Sequence, residues 1–247
     1  MARIKLRIEY DGTDFVGYQV QLEKRTVQLV LEKALKKMHD EPIRVYSSGR
    51  TDSGVHALDQ VLHFDTTLSL DDATWQHALT TLLPKDIRVK SAETVAHDFH
   101  ARKDATNKTY RYIVLNRKEH DVFRRNYEWH IPQDIDLEKM KEAAKLLKGK
   151  HDFTAFAASK SNVKGDKTRT IFELKVWRED DDRIYFEVTG DGFLTHMVRI
   201  MVGTLIEIGQ GKKDKSCITK GFESLDRRVL GLTAPGHGLY LWEVEYE

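Results

Sequence analysis

Hydrophobic and polar residues alternate from the start of the chain, with Ile4, Leu6, Ile8 and Tyr10 falling between Arg3, Lys5, Arg7 and Glu9. That two-residue period predicts a strand with one face buried. After the turn segment "DGTDFVGY", Val27, Val30, Leu31, Ala34, Leu35 and Met38 follow helical spacing behind Thr26, a suitable N-cap. Strands are expected at "IRVYS" and "VLHFD", and a helix over "DDATWQHALTTLLP" that Pro84 stops. In the second half "KTYRYIVL" reads as a strand and "DLEKMKEAAKLLKG" as a helix with Gly149 at its C-terminal end. "RTIFELKVW" and "RIYFEVTG" read as a hairpin across "REDDD", residues 195–208 as an apolar buried helix, and "GLYLWEVEY" as a last strand. The order of elements predicts an α+β fold: two α/β subdomains, each with strands and two helices, around one mostly antiparallel sheet. The boundary is drawn near residue 100, giving subdomains 1–100 and 101–247.

With 247 residues and 40% apolar content the chain buries enough core for one large domain or two that share a sheet. Lysine and arginine number 40 against 39 acidic residues, so no whole-molecule field draws it to nucleic acid or to a membrane. Any polyanion must be met locally. Cys217 is the only cysteine, which excludes an internal disulfide and a Cys-x-x-Cys metal knuckle and favours a reducing compartment. "MARIKLRIEY" carries too many charges for a signal peptide, and "HMVRIMVGTLIEIG" is broken by Arg199 and Glu207 well short of the roughly 20 residues that span a bilayer. A cytoplasmic location without a membrane partner is expected.

The segment "SSGRTDSGVHALD", residues 47–59, places an arginine, two aspartates and a histidine in a turn. Gly49 and Gly54 have the separation of a phosphate-binding loop, but Val55 and His56 stand where lysine and serine or threonine are needed. No G-x-S-x-G frame is present either. His97 and His100 in "HDFH" have a ligand-like spacing without an indicated third ligand, so no metal is expected. Taken alone, the turn reads as a hairpin loop whose polar groups satisfy their own backbone.

Its company changes that reading. "GRTDSGVHA" resembles the signature of the tRNA pseudouridine synthase A (TruA) family, and the family's catalytic aspartate falls on Asp52. "YDGTDFVGYQVQ", "RTVQ", "FHAR", "KTYRY", "DFTAF", "GDGFLTHMVRIMVGTLIEIGQGK" and "APGHGLYLWEVEY" follow in the family's order nearly end to end. Tyr18 stands where tryptophan is usual, Leu29 where glycine is common, and Gly236 replaces an alanine. The resemblance implies the pseudouridine synthase fold, with a catalytic cleft between the subdomains. It also implies an isomerase that breaks the N-glycosidic bond of a uridine, turns the uracil and rejoins it through C5. No cofactor, metal or nucleotide is implied.

A carboxylate suits that chemistry because it can trap or stabilise positive charge on the sugar, act as a base on the ribose, or attack the uracil ring. Attack at C1′, attack at C6 and a glycal route all stay open. Each needs an ionised carboxylate, and a neighbouring arginine favours that form. The resemblance assigns this task to Arg199, which sits on the apolar helix and is therefore expected to be buried; Arg50, two residues before Asp52, is the other available cation and is read as engaging the RNA and displacing the target nucleotide. Tyr110, Tyr112 and Val114 share one strand face, and the family pattern gives the substrate contact to Tyr110, leaving Tyr112 as packing.

The RNA footprint is expected in local basic patches. Arg102, Lys103, Lys108, Arg111, Arg117 and Lys118 face Asp104 alone between residues 102 and 118, and Lys160, Lys164, Lys167 and Arg169 form a second cluster. By resemblance "FHARK", namely Phe99, His100, Ala101, Arg102 and Lys103, contributes to substrate choice. The implied substrate is the anticodon stem-loop of several tRNAs, at uridines 38, 39 and 40, and the implied state a homodimer. Two other functions compete: an RNA-binding or chaperone module without catalysis, which has no need of Asp52, and an N-glycosidase releasing uracil. The latter needs a second carboxylate, for which Asp59 is the nearest candidate.

Overall fold

A computed structural model of the chain describes residues 1–158, 165–179 and 182–247. The chain opens with β1 (Ala2–Tyr10), α1 (Val27–Lys36), β2 (Tyr46–Ser47), β3 (His56–Thr66), α2 (Asp72–Leu82), β4 (Ile87–Val95) and β5 (Ala105–Leu115). It continues through β6 (Trp129–His130), α3 (Leu137–Lys145), β7 (Gly149–Asp152), β8 (Thr168–Arg178), β9 (Arg183–Gly190), α4 (Met197–Gly209), α5 (Ser216–Ser224) and β10 (Leu239–Tyr246). Three helices start on side-chain caps: Thr26, Asp71 and Asp136 accept from the backbone amides of Leu29, Thr74 and Lys139. Leu83 leaves α2 in an extended conformation, as the residue before Pro84 must.

The pattern reading differs from the structure at several ends. Of "IRVYS" only Tyr46 and Ser47 pair as a strand, and α1 stops at Lys36, before Met38. Gly149 does not cap α3; at φ +102° it opens β7. Among the described residues the second half holds three α-helices rather than two.

Two compact units form, Met1–Thr106 with Tyr240–Glu247, and Asn107–Leu239. A single cut near residue 100 leaves the last strand with the second half, whereas Tyr240 and Leu241 pair in parallel with His56 and Ala57 of β3. In the first unit the sheet runs β4-β1-β3-β10, with β2 added to β3. Ile4 and Leu6 lie opposite Phe64 and Leu62. They share a buried face with Trp75 of α2, whose ring meets Phe64 edge-on at 5.4 Å. The opposite face carries Arg3, Lys5 and Arg7. In the second unit the order is β5-β9-β8-β7, with β6 parallel to β5, and α4 is buried along almost its whole length with α3 packed on it. Within both units the pairing is mostly antiparallel. Among the described residues no helix is long and apolar enough to cross a membrane.

Candidate active site

Segment 48–55 sends its hydrogen bonds to other parts of the chain. Ser48 N donates to Val61 O and Ser48 Oγ to Gln60 Oε1, each at 2.7 Å, and Gln60 Nε2 donates to Gly49 O at 3.0 Å. Thr51 is buried with its hydroxyl 2.7 Å from the Tyr10 hydroxyl. Val55 N donates to Asp52 O at 3.2 Å, closing a turn in which Gly54 takes φ +74°, a conformation glycine adopts without a side-chain clash.

"DGTDFVGY" supplies the other wall of this cradle. Tyr18 N donates to Thr51 O at 3.0 Å and Gly54 N to Phe15 O at 3.3 Å. Gly12 N donates to His56 Nδ1 at 2.9 Å, and a Cβ at Gly12 would sit 2.1 Å from Val55 O. "RTVQ" braces the wall from behind: Gln28 N donates to Tyr18 O at 2.9 Å, and the Arg25 guanidinium lies 4.0 Å from the Phe15 ring centre. Burial pushes the Tyr10 phenol up to about 12 and the Tyr18 phenol higher still, so both remain neutral struts. A self-satisfied hairpin loop does not have this wiring. The outcome is a half-buried Asp52 and an exposed Arg50 on a backbone fixed from several directions.

The second unit holds Tyr110 and Arg199. Tyr110 on β5 is 7% exposed and meets Phe193 edge-on at 5.0 Å. His196, at φ +65°, turns the chain into α4. Arg199 is half-buried rather than buried: its Nε donates to Ala234 O at 2.7 Å, and its own carbonyl accepts from Ala234 N at 3.0 Å. The helix is covered by the backbone of 231–234, which approaches so closely that a Cβ at Gly203 would sit 2.0 Å from Leu232 O. Tyr112 does more than pack, because its hydroxyl donates to Pro235 O at 2.8 Å. Arg199 and Tyr112 thus hold consecutive carbonyls of "APGHG". "DFTAF" is core: Phe153 and Phe156 are fully buried, 5.4 and 5.2 Å from Phe222.

A family model described as tRNA pseudouridine synthase matches residues 7–104 and 143–247. The chain belongs to the tRNA pseudouridine synthase family. It is an isomerase of that family, with the pseudouridine synthase fold. The tRNA pseudouridine synthase A of Bacillus subtilis is 52% identical over 247 residues, covering 99% of both chains. That of Bacillus licheniformis is 51% identical over 247 residues, again covering 99% of both. The Oceanobacillus iheyensis protein of the same name is 47% identical over 248 residues, 100% of this chain and 98% of its own.

In this synthase the residues read as RNA contacts fall into different environments. Arg50, Arg102 and Lys103 are exposed, and Phe99, His100 and Lys108 are half-buried. Ala101 is fully buried; its N donates to His63 Nδ1 at 3.2 Å and its O accepts from the Tyr246 hydroxyl at 2.6 Å, so it moors the loop to the sheet. Arg111 pairs with Glu187 across the strands at 2.6 Å, which reduces the local positive charge. Lys160 and Lys164 lie outside the described residues. His100 Nδ1 accepts from Arg102 N of its own loop at 3.1 Å, whereas His97 contacts Met1 O at the start of the chain. Asp59 is committed to the fold: it pairs with Arg7 and accepts from Val244 N at 3.1 Å. It offers no second carboxylate for an N-glycosidase. Sequence reasoning gave no site role to Gly12, Tyr10, Thr51, Gln60 or Phe193, although all but Gln60 lie within the motifs that carry the resemblance.

His63 gives a pH prediction. Burial first, then Arg3 and His100, push its imidazole down to about 4 against the weaker opposing pull of Asp65 and Asp104. The unfolded chain takes up this proton near pH 6.5 and the folded chain does not, so stability is full above 6.5 and falls as pH falls toward 4. Urea unfolding at pH 7.5 and 5.5 should show a drop in midpoint that is clearly smaller in His63→Gln. Equal drops in both proteins would remove His63 from the acid response.

Proposed function

We propose that this synthase isomerises uridine to pseudouridine in the anticodon stem-loop of tRNAs, at positions 38, 39 and 40, acting in the cytoplasm as a homodimer without a cofactor. The observation that carries the reading is Asp52: a half-buried carboxylate on a turn fixed by bonds to Phe15, Tyr18, Gln60 and Val61. Such preorganisation is what a reacting group requires and a passive RNA-binding surface does not. The names of the relatives support tRNA as the substrate.

In the proposed reaction the N1–C1′ bond of uridine breaks, the uracil turns, and C5 bonds to C1′. The proton lost from C5 is balanced by one gained at N1, so the atoms of the nucleotide are conserved. Asp52 acts as nucleophile or base at the sugar or the ring. Arg199 orients it and favours its charged form, and Arg50 engages the RNA while the uridine is extruded. Arg102, Lys103 and Lys108 neutralise phosphates.

Anticodon stem-loop RNAs with a single uridine at 38, 39 or 40 test the positional reading. Pseudouridine is expected in each, and in none of the RNAs with uridine moved outside the loop region; modification confined to other positions contradicts it.

Tyr110 is assigned a chemical task as well as a packing one. Its ring meets Phe193 edge-on at 5.0 Å. Tyr110→Phe should leave RNA affinity nearly unchanged while slowing single-turnover isomerisation about 100-fold, the scale of one proton transfer. Tyr110→Ala should lose affinity too. An unchanged rate in the phenylalanine variant would leave the hydroxyl without a chemical task.

A further inference from the structure

Registers within the first unit place three side chains in a row on the sheet face opposite the Trp75 core: Lys5 on β1 opposite His63 on β3, and His63 opposite Tyr46 on β2. Tyr46 stacks on His63 with ring centres 5.2 Å apart and planes 19° from parallel, yet remains 46% exposed. His63 itself is 3% exposed, and its Nδ1 accepts from Ala101 N at the buried mooring of the Phe99–Lys103 loop, which holds the ring under Tyr46 in place. The Arg44 guanidinium lies over the Tyr46 ring, 5.6 Å from its centre, and His100 at 6.3 Å bounds another side. Exposed Arg102 and Lys103 follow on the same loop as His100.

A lone exposed aromatic on a surface is ordinary. This one is an aromatic face backed by a fixed ring and flanked by a guanidinium, in a chain whose net charge is only +1. Such a combination fits a nucleotide: the base stacks on the ring while the cation meets its phosphate. The imidazole beneath Tyr46, lowered to about 4, is uncharged near neutral pH and leaves the stack undisturbed by a buried cation. Tyr46 also precedes Asp52 by six residues on one continuous segment, whose bonds to Val61 and Gln60 fix it. Six residues span at most about 22 Å, so a ligand on Tyr46 lies within a few nucleotides of a ribose at Asp52.

We infer that Tyr46, backed by His63, is a stacking platform for an unpaired nucleotide of the bound tRNA within a few nucleotides of the target uridine, with Arg44 moving off the ring onto that nucleotide's phosphate. The inference rests on tRNA being the substrate. It adds a contact outside the reacting groups, one that selects and seats the RNA and leaves the chemical step alone.

Binding of unmodified tRNA to the full-length protein, measured over a potassium chloride series together with single-turnover rates at saturating enzyme, tests it. Tyr46→Ala should weaken binding about tenfold, within the roughly 5- to 150-fold expected for one stacked base, without altering the salt slope or the saturated rate. Tyr46→Trp should bind within about twofold of the parent. Arg44→Ala should lower the log-log salt slope by about 0.7 to 0.9, the mark of one phosphate. Tyr46→Leu keeps an apolar cover over His63 but has no π face; it separates the inference from a folding defect, since it should lose affinity while keeping the parent's urea midpoint. Parental affinity in Tyr46→Leu, or a changed saturated rate in Tyr46→Ala, overturns the platform. If the unaltered protein fails to bind or modify tRNA, the substrate reading fails instead, a result distinct from either.

Discussion

Asp52→Asn should abolish pseudouridine formation while leaving tRNA binding within about tenfold of the parent. The amide keeps the volume of the side chain and loses both the nucleophile and the base, so every route open to Asp52 is closed at once. The fold should be unaffected, because the bonds fixing the turn are made by the backbone of residues 51–55 and by Ser48, Gly49 and Thr51. Single-turnover assays with enzyme in excess over tRNA measure the chemical step separately from binding. Turnover within about tenfold of the parent would remove Asp52 from the chemistry.

The next largest effect is expected from Gly12→Ala, at a residue that touches no substrate. A Cβ there would lie 2.1 Å from Val55 O, about 1 Å inside ordinary contact, and the neighbouring atoms are backbone that cannot rotate aside. The methyl group must therefore push the 52–55 turn away from the 12–18 wall and loosen the bond from Gly12 N to His56. A displacement of about 1 Å at a reacting group costs on the order of 100-fold in rate. Gly12→Ala should accordingly lose about 100-fold or more in the saturated single-turnover rate, with tRNA affinity much less affected. Gly211→Ala serves as a control for a glycine substitution in general: Gly211 has open space around its Cβ position, so that variant carries only the cost of φ +71° and should keep its rate. A Gly12→Ala protein that is folded and fully active would mean that the turn tolerates the shift and that its rigid seating is not needed.

What was legible in the sequence follows from how each feature is held. β1, β5, β8, β9 and β10 have one buried and one polar face or a sustained apolar run, and the alternation shows them directly. β4 escaped because only Ile87 and Val89 of its nine residues are buried, and α5 because its nine residues bury only Cys217, Ile218 and Gly221. Gly149 carries the positive φ that its position hinted at, but uses it to start β7. Strand pairing joins residues 240–241 to 56–57, a relation across the chain that no local pattern contains. At the site, the motif around Asp52 was plain, whereas its cradle was not: Tyr10 reaches Thr51 across 41 residues, and Gly12 reaches His56 across 44. The count of basic residues placed Arg111 in a patch without revealing Glu187 opposite it. Apolar spacing made Arg199 look buried, although segment 231–235 leaves it half open and takes up its Nε–H.

The proposed chemistry rearranges a uridine in tRNA and releases nothing. It is tested most directly by incubating the purified protein with unmodified tRNA, digesting the RNA to nucleosides, and quantifying pseudouridine, uridine and free uracil in one chromatographic run. Pseudouridine equal to the uridine lost, with no uracil, is the expected result. Free uracil with abasic RNA would make the protein an N-glycosidase, and unchanged uridine in fully bound tRNA would make it a binding module; either result contradicts the account.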